Sequence, residues 1–443
     1  MDKGQREELA ARVLALSSAD HTEVAIVDEN AQLTRFTHND VHQNVASADV
    51  SVRVRAIVGG RTGAASSNEL AGDRLRETVD RALAMAKLAP VDPDLAPLPS
   101  GGPSTALANS YVAATAKAGP AERARLCGEI FAVAKSENLW SAGFAATSSS
   151  GITVCNSNGA RASYDGTDCA VNVKMNGDDS TGYAEAYTAD VDAVDAREIA
   201  QTAARKTQQS RHPRAVEAGP WTVILEPAAF GELLSYVADH FSAQAVDEGS
   251  SFLSDGMDKS YFGSNVSIAD DFAHPLAPGM PFDWEGQPTQ RVTLVENGVA
   301  HGFVTDSAYA KKLERPNTGH ALPAPNAYGP QATHLVLAAG EKSIDELIAQ
   351  TARGLLVTRF WYIRTVDQRR AIVTGMTRDG TFLIENGVVA GGVRNMRFNQ
   401  SILEALRHCE FGNTLRRTGS YAYSIVVPAA KIEGFTFSSG TDF

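Results

Sequence analysis

Histidines and cysteines are the side chains best suited to hold a metal, and the chain has ten of the first and four of the second. Their spacing argues against a metal site. His38 and His42 are four apart, which would bring them together on a helix. Asn39-Asp40 lies between them, however, and both flanks read as strands joined by a turn. Residues 228–243 read as a helix carrying one histidine, His240. A zinc-hydrolase helix needs two histidines one turn apart and a glutamate to work on the bound water. The stretch Gly231-Glu232-Leu233-Leu234-Ser235-Tyr236-Val237-Ala238-Asp239-His240 has no His-Glu pair, so His240 reads as structural. Cys127, Cys155, Cys169 and Cys409 stand far apart, with no Cys-x-x-Cys, and read as buried or idle thiols. Nucleophile-elbow, dinucleotide and P-loop patterns are absent. A relocated site built from His240, Cys409 and an unidentified carboxylate is a rival that metal analysis of the pure protein would test.

One stretch has the composition of a contact surface: Arg359-Phe360-Trp361-Tyr362-Ile363-Arg364-Thr365. As a regular strand it puts Phe360, Tyr362 and Arg364 on one face and Arg359, Trp361 and Ile363 on the other. Sheet packing accounts for such a strand, but arginines and aromatics are also what interfaces and peptide sites enrich. Arg359, Trp361, Tyr362 and Arg364 are the candidate substrate or interface contacts.

The elements that must position these residues follow from periodicity. The first ninety residues read as helix 4–18, strands 22–36, 41–58 and 61–67, and helix 71–89. Residues 50–58 alternate at period two, the mark of a half-buried strand. A proline-rich segment, 89–104, follows. Helix 119–138, strands 141–148, 151–156, 161–173 and 182–190, and helix 194–209 repeat the same grammar. After Pro220 come strand 221–225, helix 228–243 and a loop-rich stretch. Two hairpins share the turn Glu-Asn-Gly, at Glu296-Asn297-Gly298 and Glu385-Asn386-Gly387. Asn-Gly accepts positive φ at both central positions of a type I′ turn. The expected class is α+β. An N-terminal α+β domain of antiparallel sheets with flanking helices (1–215) has two sub-units joined by 89–104. A β-rich C-terminal domain (216–443) is built around the paired hairpins.

Composition narrows the function. At 443 residues and net charge −12 the chain would repel phosphate backbones, so direct nucleic-acid binding is not expected. No run approaches the roughly 20 apolar residues of a membrane span. The charged N-terminus, Met1-Asp2-Lys3-Gly4-Gln5-Arg6, lacks the apolar core of a signal peptide, so a cytoplasmic protein is expected.

Taken in order, several segments resemble the TldD/PmbA family, also called modulators of DNA gyrase. They are Val52–Asn68, Gly249-Ser250-Ser251-Phe252-Leu253, the first Glu-Asn-Gly hairpin, Asn317-Thr318-Gly319, and Gly354–Thr358 leading to the second hairpin. The resemblance spans nearly the whole chain. It implies two kinds of subunit. TldD-like chains carry His-Glu-x-x-x-His ahead of the Gly-Ser segment and a cysteine near the C-terminus, and are zinc metallopeptidases. TldE-like chains lack those ligands and pair with them. Counted back from Gly249, the motif positions are Leu234, Ser235 and Asp239; shifted by one, they are Ser235, Tyr236 and His240. Thr414 stands where the cysteine would, and Cys409 falls short of it. The resemblance therefore implies a non-catalytic, metal-free, TldE-like subunit, with zinc in a TldD-like partner and an extended peptide as substrate of the heterodimer. The alternative is a homodimeric peptide-binding or regulatory protein acting without a protease partner.

Overall fold

The alternation of Val52, Val54 and Ala56 with Arg53 and Arg55 gives a strand buried on one side and half-exposed on the other. The structure, a computed structural model, describes residues 1–104, 107–419 and 424–441. Its first half is built around one six-stranded sheet. The helix α1 (Lys3–Leu16) precedes β1 (His21–Thr37), β2 (Asp40–Val58), β3 (Arg61–Ser67) and α2 (Gly72–Leu88). After the proline-rich segment come α3 (Ala113–Lys117), α4 (Pro120–Ser136), β4 (Trp140–Asn156), β5 (Arg161–Asn176), β6 (Thr181–Thr188) and α5 (Ala196–Gln209). The sheet order is β3-β2-β1-β4-β5-β6, antiparallel throughout. Two strands expected at 141–148 and 151–156 are one. Ser149 and Ser150 stay in register with Asn30 and Glu29 of β1, so the serine run does not break the ladder.

The two units of this sheet are related by a pseudo-two-fold axis between β1 and β4. Arg6, in the first turn of α1, is 1% exposed and donates from Nε to Thr153 Oγ1 of β4, 3.3 Å away. Arg123, in the first turn of α4, is 0% exposed and donates to Thr34 Oγ1 of β1 at 3.1 Å. Each helix thus anchors in the other unit's central strand. The acceptors match as well: Thr34 bonds Asn44 and Thr153 bonds Ser163, both at 2.9 Å. At the turns, Asn39 Nδ2 donates to Leu139 O and Asn158 Nδ2 to Leu98 O. At the outer strands, a Cβ on Gly63 would lie 2.2 Å from the backbone of Ala86 in α2. One on Gly182 would lie 2.2 Å from Ala203 O in α5. A buried guanidinium is tolerated only when its donors find acceptors. The reciprocal arginines therefore make each unit depend on the other.

β3 covers only Val52–Val58 of β2. Among the described residues, Asp40–Ser51 has β1 on one side and no strand on the other.

The second half supplies β7 (Gly219–Leu225), α6 (Pro227–Ala238), α7 (Ala243–Asp247), β8 (Lys259–Ser260), β9 (Ile268–Asp270), β10 (Val292–Glu296), β11 (Val299–Ala300) and β12 (His334–Leu337). Then follow β13 (Arg353–Asp367), β14 (Ile372–Glu385), β15 (Val388–Gly392), β16 (Met396–Ser401), β17 (Cys409–Phe411), β18 (Arg416–Thr418), β19 (Ser424–Val427) and β20 (Ala430–Gly440). One sheet runs β13-β7-β20-β16-β14-β15, and β13 also pairs with β14, so five strands close into a small barrel. A second sheet runs β18-β19-β12-β9-β10-β11-β8.

Both Glu-Asn-Gly turns have the expected backbone: Asn297 and Gly298 at φ 49° and 82°, Asn386 and Gly387 at 52° and 76°. They do not share a sheet. The first joins β10 to β11 in the second sheet through two residue pairs; the second joins β14 to β15 on the barrel. The likeness is one of turn chemistry.

The helix α6 lies between the barrel and the second sheet. Pro227 opens it with its missing N–H where no partner is needed. Ala229, Phe230, Leu233, Leu234, Val237 and Ala238 are fully buried against Val223 and Leu355 of the barrel and Leu335 and Ile425 of the second sheet. Each large apolar side chain so buried contributes about 1.5–3 kcal/mol. The helix expected over 228–243 ends earlier. Residues Asp239–Phe241 tighten into a 3-10 turn, and α7 follows.

Candidate functional site

The six apolar side chains fix the rotation of α6, and rotation decides what each residue can reach. Leu234 is 0% exposed and points into the core. Ser235 is half-buried, with its hydroxyl donating to Glu232 O at 2.7 Å. Asp239 is exposed on the 3-10 turn and makes an interaction of its own. An alkyl group, a hydroxyl bonded to its own helix and one carboxylate do not fit a zinc centre, which takes imidazole, thiolate or several carboxylates. The alternative register is no closer. Tyr236 donates to Ile363 O at 2.7 Å. His240 is 1% exposed, its ring 4.9 Å from that of Phe252, and burial pushes its pKa down to about 4. Its Nδ1 accepts from Phe252 N–H at 3.4 Å, so the imidazole is neutral and already engaged.

The other candidates stand apart. Burial pushes the Cys409 thiol up to about 12, and Cys409 Sγ lies 3.4 Å from Leu406 O as a donor. Thr414 is exposed on the surface. His38 occupies a left-handed turn position and stacks on Trp140 with centroids 4.4 Å apart. Among the described residues no three His, Cys, Asp or Glu side chains converge as metal ligands.

What the structure does bring to α6 is the aromatic strand. Alternation along it fails, because Tyr362 has φ 58° and the β13–β14 register shifts between Trp361 and Arg364. A bulge there turns Trp361 and Tyr362 outward together, at 43% and 60% exposed, and buries Phe360 and Ile363. The two-face assignment from period two is corrected accordingly. Arg364 lies over the Tyr362 ring at 4.1 Å and Arg378 over Trp361 at 4.5 Å. Trp361, Tyr362 and Arg364 thus form one exposed cluster of the residue types that carry binding energy at interfaces.

Arg359 is different. It runs into the seam between the two halves, over the Tyr183 ring at 4.4 Å, with its Nη2 2.9 Å from the buried carboxylate of Asp379. That seam holds charge that sequence reading did not single out. Tyr183 donates to Glu185 at 2.5 Å. Burial raises the pKa of Glu185, and burial together with the Glu185 charge raises that of Glu232 to about 7, although Arg359 offsets part. Lys206 pairs with Glu226 and donates to Tyr183 O at 3.1 Å. Asp379-Gly380 has the form of a hairpin turn in sequence. It instead sits mid-strand as a bulge, with positive φ at both residues, because Val357 and Arg359 pair with Thr381 and Arg378.

Comparison with known proteins agrees with this architecture. Models of the PmbA/TldA metallopeptidase match in three parts: domain 1 at residues 22–86, the central domain at 114–211 and the C-terminal domain at 218–439. The chain is 26% identical to the metalloprotease PmbA homolog of Haemophilus influenzae, covering 98% of this chain and 97% of that one. It is 24% identical to metalloprotease PmbA of Escherichia coli O157:H7, covering 97% and 96%. Its fold is similar to that of TldE from Thermococcus kodakarensis, with a TM-score of 0.88 at 20% identity over 98% and 99% of the two chains. It is also similar to a crystal structure described as a putative modulator of a DNA gyrase from Thermotoga maritima, with a TM-score of 0.85 at 20% identity over 98% and 100%. Helix α6 between barrel and second sheet, the one six-stranded sheet ahead of it and matches along the chain lead to one conclusion: this chain belongs to the PmbA/TldD metallopeptidase family.

Proposed function

We propose that this chain is a metal-free, non-catalytic, TldE-like subunit. It pairs with a TldD-like chain that carries the zinc, in a cytoplasmic heterodimer that cleaves unfolded or small peptides. The observation that carries the reading is α6, which lies between barrel and sheet and holds Leu234, Ser235 and Asp239 where the family resemblance would set the zinc motif. Without imidazoles and a general base there is neither a bound metal nor an activated water. The chain's contribution is to complete the chamber and help hold extended peptide. Trp361, Tyr362 and Arg364 supply exposed contacts, and the edge of β2 that no described strand covers offers backbone groups for strand addition. No described helix is long and apolar enough to cross a membrane.

Peptidase assays with the chain alone, the TldD-like partner alone and the two mixed test the proposal. Activity is expected to require the partner's metal and to rise when this chain is added. A chelator should abolish that activity without changing the Tm of this chain. Stoichiometric zinc and hydrolysis by this chain alone would refute it. The homodimeric reading predicts instead a stable dimer of this chain that ignores the partner in size-exclusion chromatography.

A further inference from the structure

A cavity of about 530 Å³ opens where the two halves meet, and the chemistry of its wall has not been accounted for. The N-terminal half contributes Lys174 of β5 and the turn that includes Ser180. The C-terminal half contributes Arg378, Asp379 and Thr381 of β14. Asp379 is 2% exposed and stands among three cations: Lys174 Nζ at 3.0 Å, Arg359 Nη2 at 2.9 Å and Arg378 Nε at 3.9 Å. Lys174 and Arg378 also face the cavity, and Arg394 lines it with them; with Arg359 behind Asp379, four cations stand against the carboxylates of Asp379, Asp178 and Asp179. Thr381 and Ser180 are 2% and 6% exposed, and neither hydroxyl oxygen has a hydrogen-bond partner. An unpaired buried hydroxyl costs about 1–3 kcal/mol. Two of them line this cavity, one from each half, where the cations exceed the carboxylates by one.

The acceptor's charge is bounded too. Asp178 and Asp179 line the same cavity, with Asp179 accepting from the His212 N–H at 2.9 Å. A dianion would meet three carboxylates; a monoanion suits the balance better. Arg378, stacked on Trp361, joins the cavity to the exposed aromatic cluster. We propose that the cavity binds a free carboxylate, the C-terminal end of a short peptide, whose preceding residues lie across Trp361 and Tyr362. The carboxylate oxygens accept from Lys174 and Arg378 and from the Thr381 and Ser180 hydroxyls. This rests on the peptide-binding reading above and names the end of the peptide that is held.

The test is calorimetric titration of the purified chain with one tripeptide as free acid and as C-terminal amide, with acetate as the small-carboxylate control. The free acid is expected to bind at least about tenfold more tightly than the amide. K174Q/R378Q should bring the acid down to the amide's affinity. T381V should weaken acid binding about fivefold while leaving the Tm of the free protein unchanged or raised, since it removes an unpaired hydroxyl. A structural role for Thr381 would lower the Tm instead. Equal binding of acid and amide, binding of neither by a folded chain, or acetate binding as tightly as the peptide each overturns the proposal. No partner and no hydrolysis enter the experiment, so its failure leaves the subunit reading to its own assay.

Discussion

Tyr362 holds an aromatic side chain in the left-handed region, φ 58°, where such a residue costs on the order of 1 kcal/mol or more. The bulge it forms is what turns the Trp361 and Tyr362 rings outward together. Tyr362→Gly should therefore raise the Tm slightly or leave it unchanged, yet weaken association with a peptide. Trp361→Ala should weaken the same association at least about tenfold with a small change in Tm, read by titration calorimetry. Leu234 makes the opposite case. Leu234→His, even combined with Ser235→Glu and Asp239→His, should not create a zinc site, because the new imidazole would enter the apolar core. The expected result is a loss of about 2–4 kcal/mol in urea unfolding and no stoichiometric zinc. At this scale the sequence was legible where residue type alone decides, as at Asn39, which holds positive φ in the turn expected between β1 and β2. It was misleading where the backbone departs from its period. Nothing in Arg359–Thr365 announces a left-handed tyrosine, and Asp379-Gly380 looks like a hairpin turn until its neighbours are seen to be paired.

Among the elements, the place where Glu232 of α6 feels the charges of Arg359 in β13 and Glu185 in β6 carries a pH dependence. Burial raises Glu232 from an ordinary 4.5 to about 7, and Glu185 moves in the same direction. Such a group binds its proton more tightly folded than unfolded. Its contribution to stability is complete below about 4.5 and lost as pH rises through about 7. The urea midpoint should fall between pH 5 and pH 8. Glu232→Gln should flatten that fall, with a gain at pH 8 and little change at pH 5. The outer strands carry a second prediction. Gly63→Ala and Gly182→Ala each push a methyl into helix backbone 2.2 Å away, so each should destabilise by about 1–3 kcal/mol or more. The strand and helix grammar of both units could be read from alternation and breaks. The pairing of Thr34 with Thr153, or of Gly63 with Gly182, could not, because those equivalences need the axis between β1 and β4.

For the molecule as a whole, the α+β class, the proline-rich break and both Asn-Gly turns were visible in periodicity and turn chemistry. The closure of the barrel and the seam of carboxylates and cations were not. The barrel sets β7 beside β13 and β20, and the seam lies where β6 and α5 meet β13 and β14; both join long-range neighbours that no local pattern encodes. The crossed arginines have a consequence for synthesis. Arg6, β1 and β2 leave the ribosome well before Thr153, and at roughly 5–20 residues per second that delay lasts many seconds. During it the first unit has an interior guanidinium without two of its three acceptors, Thr153 and Asp165, and a β1 ladder open on the side that β4 will occupy. The nascent chain is then an adhesive intermediate, and a chaperone that shields a strand edge would act on it in that interval.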